Sequence, residues 1–276
     1  MQDPSSRRMF LHKAGSLAIL ALAPGAVGAA PDAADAWDAL LKRHVRWNEA
    51  GVASTVDYKA ISSARSTLDT VLKAFSAVSR SAYDAMSRAD RLAFLINAYN
   101  AFTIDLILTK YPDLKSIKDL GGLFSSPWKK KFFRLLGEER SLDDIEHGMI
   151  RAPGVFDEPR IHFVVNCASI GCPALRPEAM RGATIDSQLE DSARRFLRDR
   201  SRNRLDPVAG ELRVSKIFDW YGGDFSKGYR GIDSLNQFFA MHADALGDDA
   251  GQVSRIRAGK LEIDFLDYDW RLNDRR

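Results

Sequence analysis

Two cysteines close to a histidine make thiol chemistry the first candidate activity. His162 precedes Cys167, and Cys172 follows Cys167 by five positions. Pro173 suits the first turn of a helix, so we expect Cys172 at a helix N-terminus, where the helix dipole favours a thiolate. Free backbone N–H groups at such a place would also bind an oxyanion. The spacing therefore predicts Cys172 as the nucleophile of a hydrolase or acyl transferase.

Two histidines are candidates for the base that takes the proton of Cys172. His147 lies beside Glu146, and His162 lies on the segment that leads to the cysteines. Adjacent residues of a helix point about 100° apart, so Glu146 need not orient His147. The sequence leaves both histidines open as the base, with Glu146 or an asparagine as the orienting group.

The same two cysteines also suit other roles. In an oxidising compartment Cys167 and Cys172 would form a structural disulfide, and the chain would be a non-enzymatic ligand- or protein-binding domain. A redox-active pair is another alternative, although the spacing is not Cys-x-x-Cys. A zinc site that includes the histidines is a further option, but the cysteine spacing is not that of a zinc finger. We therefore expect no metal and no cofactor.

Further polar and aromatic residues are candidates for substrate binding or for orienting the base. Asn97 and Asn100 lie one helical turn apart in an apolar segment, and buried amides need hydrogen-bond partners. They either tie this helix to loops or face a substrate. Asn166 directly precedes Cys167 and joins the same set. Trp220 and Tyr221 lie among glycines and acids, in a segment that either walls a cleft or ends a helix.

The elements that must position these residues are mainly helices. Apolar residues at helical spacing predict helices over residues 37–45, 68–75, 92–107, 185–198 and 235–246. Ser87 would cap the third, which must end near Lys110 because Tyr111 precedes a proline. Short helices are expected after the capping box of Ser141 and Asp144 and after Ser215.

Strands are expected in smaller number. Alternating or β-rich patterns predict strands over residues 132–136, 160–166 and 261–266 and a hairpin over residues 205–214. Helices and strands mix without a regular βαβ order. The predicted class is α+β, a single helix-rich domain with a small, mostly antiparallel sheet.

Residues 1–30 have the order of an export signal. Arg7 and Arg8 precede an apolar run over residues 14–23, which is about half the length of a membrane span, and small residues follow. The paired arginines resemble a twin-arginine signal peptide. We therefore expect the mature protein, residues 31–276, in the periplasm or outside the cell, without a membrane span.

The composition of the 276 residues is that of an ordinary globular protein. With 45% hydrophobic and 28% charged residues, it excludes collagen-like, coiled-coil and disordered classes. The formal net charge is +3, but the export signal holds three basic residues and one acidic residue, which leaves 37 basic and 36 acidic residues. The sequence contains no nucleic-acid-binding motif and no phosphate-binding glycine loop, so we expect no nucleic-acid partner.

Five segments in a fixed order resemble the family catalogued as domain of unknown function 547. They are residues 95–101, 145–147, 160–173, 215–221 and 268–273. The resemblance covers roughly Leu92 to Asn273. It implies a relation to papain-like thiol hydrolases and a papain-like fold, with the histidine preceding the cysteine in the chain. Some members are fused to glutaredoxin-like or protein-interaction modules, which implies thiol chemistry or scaffolding. Some relatives lack a cysteine at the position of Cys172.

Together these features predict an exported thiol-dependent hydrolase or acyl transferase that acts on an amide or thioester. Its expected ligand is a small peptide-like or thiol-containing compound. The oligomeric state is left open by the sequence.

Overall fold

In the computed structural model, which describes residues 32–122 and 126–275, helices predominate over strands. The α-helices are α1 (Ala33–His44), α2 (Tyr58–Ser63), α3 (Arg65–Ala77), α4 (Arg80–Asp84), α5 (Arg88–Leu108), α6 (Ile185–Arg198), α7 (Ile217–Trp220), α8 (Leu235–Met241), α9 (Ala243–Leu246) and α10 (Ala250–Arg257). The strands are β1 (Val45–Trp47), β2 (Ser54–Val56), β3 (Phe133–Leu135), β4 (Glu138–Arg140), β5 (Arg204–Leu205), β6 (Leu212–Ser215) and β7 (Ile263–Leu266). The α+β class is as predicted. The expected export signal lies outside the described residues.

Helix α5 is the central element of the first half of the fold. The Ser87 side chain accepts a hydrogen bond from the Asp90 N–H at 3.1 Å, as expected for its cap. Of the described helices, α5 alone is long and apolar enough to cross a bilayer, and 83% of its apolar window is buried inside the protein. That burial identifies α5 as a core helix.

Two apolar clusters form the core, and the cysteine-bearing segment lies between them. Helices α1 to α5 contribute to the first cluster, while α6 to α10 and the last sheet contribute to the second. Ile161 and Val164 belong to the first cluster, but Phe163 belongs to the second. His162 is therefore held where the two clusters meet.

The strands form three small sheets. Strands β1 and β2 pair antiparallel, as do β3 and β4, and β5 and β6. Strand β7 pairs in parallel with β6, with Val214 opposite Phe265. This pairing brings the segment after β7 beside α7, where Tyr268 and Trp270 contact Trp220.

Three predicted local structures differ from those observed. Residues 160–166 are not a strand: a 3₁₀-helix spans Pro159–Phe163, and the Glu158 carboxylate accepts the Arg160 N–H at its start. The apolar alternation there reflects burial between two clusters, and not a sheet face. No helix begins at Pro173. The helix predicted over residues 235–246 is divided at His242 into α8 and α9.

Candidate active site

The two cysteines lie on one tight loop between the apolar clusters. Cys172 is buried and Cys167 half-buried, and both are free thiols. Their Sγ atoms are 3.0 Å apart, and the Cys167 N–H donates to the Cys172 Sγ at 2.9 Å. Because no helix begins at Pro173, the expected helix dipole does not act on Cys172. The reason for assigning the nucleophile to Cys172 is therefore lost.

The surroundings of the two thiols push their pKa values in opposite directions. The hydrogen bond with Cys172 lowers the pKa of the Cys167 thiol, and the hydroxyls of Tyr268, at 3.0 Å, and Ser169, at 3.5 Å, lower it further. Burial raises the pKa of Cys172 well above its ordinary value. Cys167, the more exposed sulfur, is thus the one that favours the thiolate.

His162 is buried and paired with a carboxylate. Its Nε2 lies 2.8 Å from the Asp224 Oδ2, and Tyr221 stacks on the ring at a centroid distance of 4.0 Å. A carboxylate only accepts hydrogen bonds, so Nε2 carries the proton in the neutral ring. The Nδ1 atom is then an acceptor, and it is buried without a hydrogen-bond partner in the described structure. Burial lowers the pKa of His162.

Asp224 is held by three cationic or polar donors. Arg151 Nε donates to its Oδ2 at 2.6 Å, beside the His162 contact, and Lys227 Nζ donates to its Oδ1 at 2.8 Å. The hydrogen bonds from His162, Arg151 and Lys227 hold the pKa of this carboxyl well below its usual range. Asp224 therefore remains ionised while it orients the histidine.

Glu146 and His147 lie on a π-helix, Asp144–Ile150, which follows the predicted capping box of Ser141 and Asp144. Glu146 is buried, and its Oε1 has no hydrogen-bond partner in the described structure. His147 is largely exposed and accepts a hydrogen bond at Nδ1 from the Arg151 guanidinium at 2.6 Å. The two neighbours therefore have different surroundings, in keeping with their angular separation on a helix.

These groups share a cavity of about 240 Å³ that opens between aromatic side chains. Seven of the sequence-predicted site residues line it: Glu146, His147, His162, Cys167, Cys172, Trp220 and Tyr221. Neither histidine ring hydrogen-bonds directly to a sulfur in the described structure. Proton transfer between them would therefore pass through a water or a substrate atom.

The three candidate asparagines do not line this cavity. Asn100 accepts the Asn166 N–H at 2.8 Å and donates to the Val164 C=O at 2.9 Å. Asn166 accepts the Ala168 N–H and donates to the Pro173 C=O. Asn97 binds the N–H and C=O of Met180, both at 2.9 Å. Asn100 thus ties α5 to the segment that carries the cysteines, and Asn97 ties α5 to Met180, which is the structural alternative considered for these two residues.

We expect Asn100→Ala to lower the free energy of unfolding by about 3 kcal/mol, because it leaves the Val164 C=O and the Asn166 N–H buried without partners. Asn97→Ala is the matched control, since it removes two equivalent bonds to Met180. Urea denaturation should show similar losses for both, but only Asn100→Ala should change the alkylation rate of Cys167. Equal alkylation rates would contradict a role of Asn100 in positioning the cysteine loop.

The backbone N–H groups of both cysteines and of Ala168 are already occupied. Those of Cys167 and Ala168 donate to Cys172 Sγ and Asn166 Oδ1, and that of Cys172 donates to the Ser169 C=O. The backbone oxyanion site expected at Cys172 is therefore not open. Tyr99 lines the cavity, and burial raises the pKa of its hydroxyl well above the usual value, so this group remains a donor.

Several site residues were not singled out from the sequence. Asp224 lies in the aromatic and acidic segment around Trp220, but nothing in its spacing connects it to His162. Tyr99 and Tyr268 lie in the segments 95–101 and 268–273 that resemble the family, but no spacing there marks either as a site residue, and Arg151 carries no local signal. They reach the site only through tertiary contacts. Among residues 32–122 and 126–275, no group of three His, Cys, Asp or Glu side chains is arranged to hold a metal ion.

Comparison with known proteins gives a match to one family model but no activity. A family model described as "Protein of unknown function, DUF547" matches residues 83–197. The matched segment contains α5, the π-helix and the cysteine loop, whereas Asp224, Tyr268 and the segments 215–221 and 268–273 lie beyond it. No curated protein and no solved structure matches the chain.

Proposed function

For this chain, whose residues 83–197 belong to the DUF547 family, we propose a thiol-dependent hydrolase or acyl transferase in which Cys167 attacks an amide or thioester carbonyl. One observation carries the proposal. A half-buried thiol with a lowered pKa shares a cavity with His162, whose Nε2 is fixed by Asp224 and whose Nδ1 has no partner in the described structure. This is the set of parts that a cysteine nucleophile and its base require.

The proposed reaction has two steps. The Cys167 sulfur attacks the acyl carbon, and its proton passes to His162 Nδ1 and then to the departing amine or thiol, which leaves an acyl thioester on Cys167. In the second step His162 takes a proton from water or from an acceptor amine or thiol, which attacks the thioester. The free acid or new acyl compound leaves, and Cys167 regains its proton.

Tyr99 and Tyr268 support this proposal as hydrogen-bond donors. Burial raises the pKa of both hydroxyls well above the usual value. The Tyr268 hydroxyl is 3.0 Å from the Cys167 Sγ and stabilises the thiolate. Tyr99 is the donor that we assign to the developing oxyanion, because the N–H groups of both cysteines and of Ala168 are occupied.

We expect His162→Gln to lower kcat/KM by about 10²- to 10⁴-fold, because it removes the general base. Gln keeps a polar group next to Asp224 at similar volume. His147→Gln is the matched comparison, and its loss should stay below about tenfold because His147 is exposed and its Nδ1 is occupied by Arg151. The measurement is the rate of acid release from acyl and aminoacyl thioesters of N-acetylcysteamine, followed by mass spectrometry. A larger loss for His147→Gln would assign the base to His147.

A second candidate function is thiol–disulfide exchange, which the 3.0 Å separation of the two sulfurs favours. Cys167 would attack a substrate disulfide and Cys172 would resolve the mixed disulfide. Both functions suit a protein exported to the periplasm or beyond, the location we propose from the residues that precede the described chain. The two functions differ in their need for Cys172.

A further inference from the structure

The charges that face the cavity are negative. Asp143, Glu146 and the thiolate of Cys167 line it, and no Lys or Arg in the described chain does so. Burial raises the pKa of Asp143 and Glu146 raises it further, against the lowering effects of His147 and Lys129. The lining therefore favours a ligand that brings a positive charge.

Glu146 has one carboxylate oxygen that such a ligand would satisfy, although its side chain also hydrogen-bonds with Tyr221. Its side chain belongs to a residue only 4% exposed, and its Oε1 is buried without a hydrogen-bond partner in the described structure. Buried carboxylate oxygens are normally paired, because a buried charge without a partner is costly. Because Glu146 lines the cavity, a molecule bound there can supply the missing donor.

The nearby cations of the protein are engaged elsewhere. Arg151 donates to Asp224 and His147, and its guanidinium lies over the Tyr221 ring, 4.7 Å from the centroid. Lys227 is paired with Asp224. Neither of these side chains lines the cavity, so neither supplies the donor for Glu146.

The aromatic wall is compatible with a cationic ligand. Trp220, Tyr268 and Trp270 contact one another at centroid distances of 4.5 to 5.5 Å along one side of the cavity. Lys118 Nζ already lies 3.9 Å from the Trp270 ring centroid, as expected for a cation on an indole face. These rings can pack against the apolar part of a ligand while its cationic end reaches the acidic groups.

We propose that the cavity recognises a substrate with a primary ammonium group, which Glu146 binds while Cys167 attacks the neighbouring acyl carbon. The substrate class is an aminoacyl or peptidyl amide or thioester with a free α-amino group. The acyl chemistry rests on the proposed function, but the ammonium site does not.

The ammonium site is tested by the charge preference of Cys167 toward methanethiosulfonate reagents. The thiolate attacks the reagent sulfur, forms a mixed disulfide and releases methanesulfinate, whatever the natural reaction is. We compare the cationic aminoethyl reagent with the anionic sulfonatoethyl reagent in a Cys172→Ser background, where Cys167 is the single thiol. The rate with the cationic reagent is divided by the rate with the anionic reagent, and this ratio is divided by the same ratio for 2-mercaptoethanol. Because both reagents react with the same thiolate, the ratio does not depend on the fraction of Cys167 that is ionised.

We expect Glu146→Gln to lower this normalised ratio by roughly tenfold, because the Gln amide has no charge to attract the ammonium. The control Glu139→Gln removes an equal charge from the exposed strand β4 and should leave the ratio unchanged. If Glu146→Gln does not fold, Asp143→Asn tests the same lining with a less buried residue. An unchanged ratio in a folded variant of either residue would overturn the proposal.

A second measurement uses alanyl and N-acetylalanyl thioesters of N-acetylcysteamine. The free amine should be turned over at least tenfold faster, and Glu146→Gln should abolish the difference. Equal turnover of both substrates would overturn ammonium recognition and leave the hydrolase intact. A cation-selective Cys167 without turnover of either substrate would support the ammonium site and contradict the proposed function.

Discussion

Cys167→Ser should lower turnover of an accepted thioester by at least about 10³-fold, because it removes the nucleophile on which the reaction depends. Serine at this position lacks the low pKa that the contacts with Cys172 and Tyr268 give to the thiol. The acyl adduct on the protein, measured by intact-protein mass spectrometry after rapid mixing, should disappear in the same variant. Persistence of the adduct would move the nucleophile to Cys172.

Cys172→Ser is the matched variant. Its hydroxyl can still accept the Cys167 N–H and donate to the Cys167 sulfur, so a hydrolase should keep most of its activity. Thiol–disulfide exchange instead needs both thiols: Cys167→Ser would prevent the attack, and Cys172→Ser would stop the reaction at a mixed disulfide. The comparison of the two serine variants therefore separates the two candidate functions.

Alkylation of Cys167 gives the pH dependence that this assignment requires. Hydrogen bonds that stabilise the thiolate lower the pKa, so the iodoacetamide rate in Cys172→Ser should reach half its maximum below the ordinary thiol value of about 8.5. Tyr268→Phe removes one of these donors and should move the midpoint to higher pH.

A Cys167–Cys172 bridge that resists mild reductant in protein purified from the periplasm would contradict the hydrolase and support the binding domain.

Local sequence patterns were sufficient for the helices that carry the scaffold. Helix α5 follows its predicted cap and its apolar pattern, and α6 keeps the predicted bounds of residues 185–198. For both helices, the cap or the apolar pattern that defines them lies within or directly beside the helix in the sequence. The 3₁₀-helix Pro159–Phe163 does not, because its apolar alternation arises from burial between two clusters that form only in the folded chain.

The sequence predicts the location of the site better than the role of each residue in it. The cysteine segment can be identified from residue types alone, but the lowered pKa of Cys167 comes from its contact with Cys172 and further from Tyr268, 101 positions away. The choice of His162 as base depends on Asp224, 62 positions away. Such long-range partners leave no periodicity, so spacing favoured Cys172 and left two histidines open.

Asp224 is a positioning residue, and Asp224→Asn should lower kcat by about 10³-fold through the tautomer of His162. In the native site Oδ2 accepts from both Arg151 and His162, while Oδ1 accepts from Lys227. An asparagine cannot serve all three donors. If the asparagine NH₂ group turns away from Lys227, it faces Arg151 and His162. The Nε2 atom of His162 then becomes the acceptor, and its proton moves to Nδ1, which is the atom that must act as the base.

The double variant Asp224→Asn with Lys227→Met tests this explanation. Lys227 is largely exposed, and its removal allows the asparagine NH₂ group to occupy the former Oδ1 position while its carbonyl accepts from His162. We expect the double variant to regain at least tenfold in kcat over Asp224→Asn, because the reacting tautomer is restored. Lys227→Met alone should change kcat little.

The pH profile distinguishes this tautomer effect from a loss of charge. The hydrogen bond to Asp224 raises the pKa of His162 relative to burial alone, so its weakening should move the acid limb of kcat/KM to lower pH. If charge were the whole effect, activity would recover at a shifted pH optimum. A tautomer effect lowers kcat at every pH, and only the second substitution restores it. Recovery of the single variant by a pH change alone would therefore contradict the proposed role of Asp224.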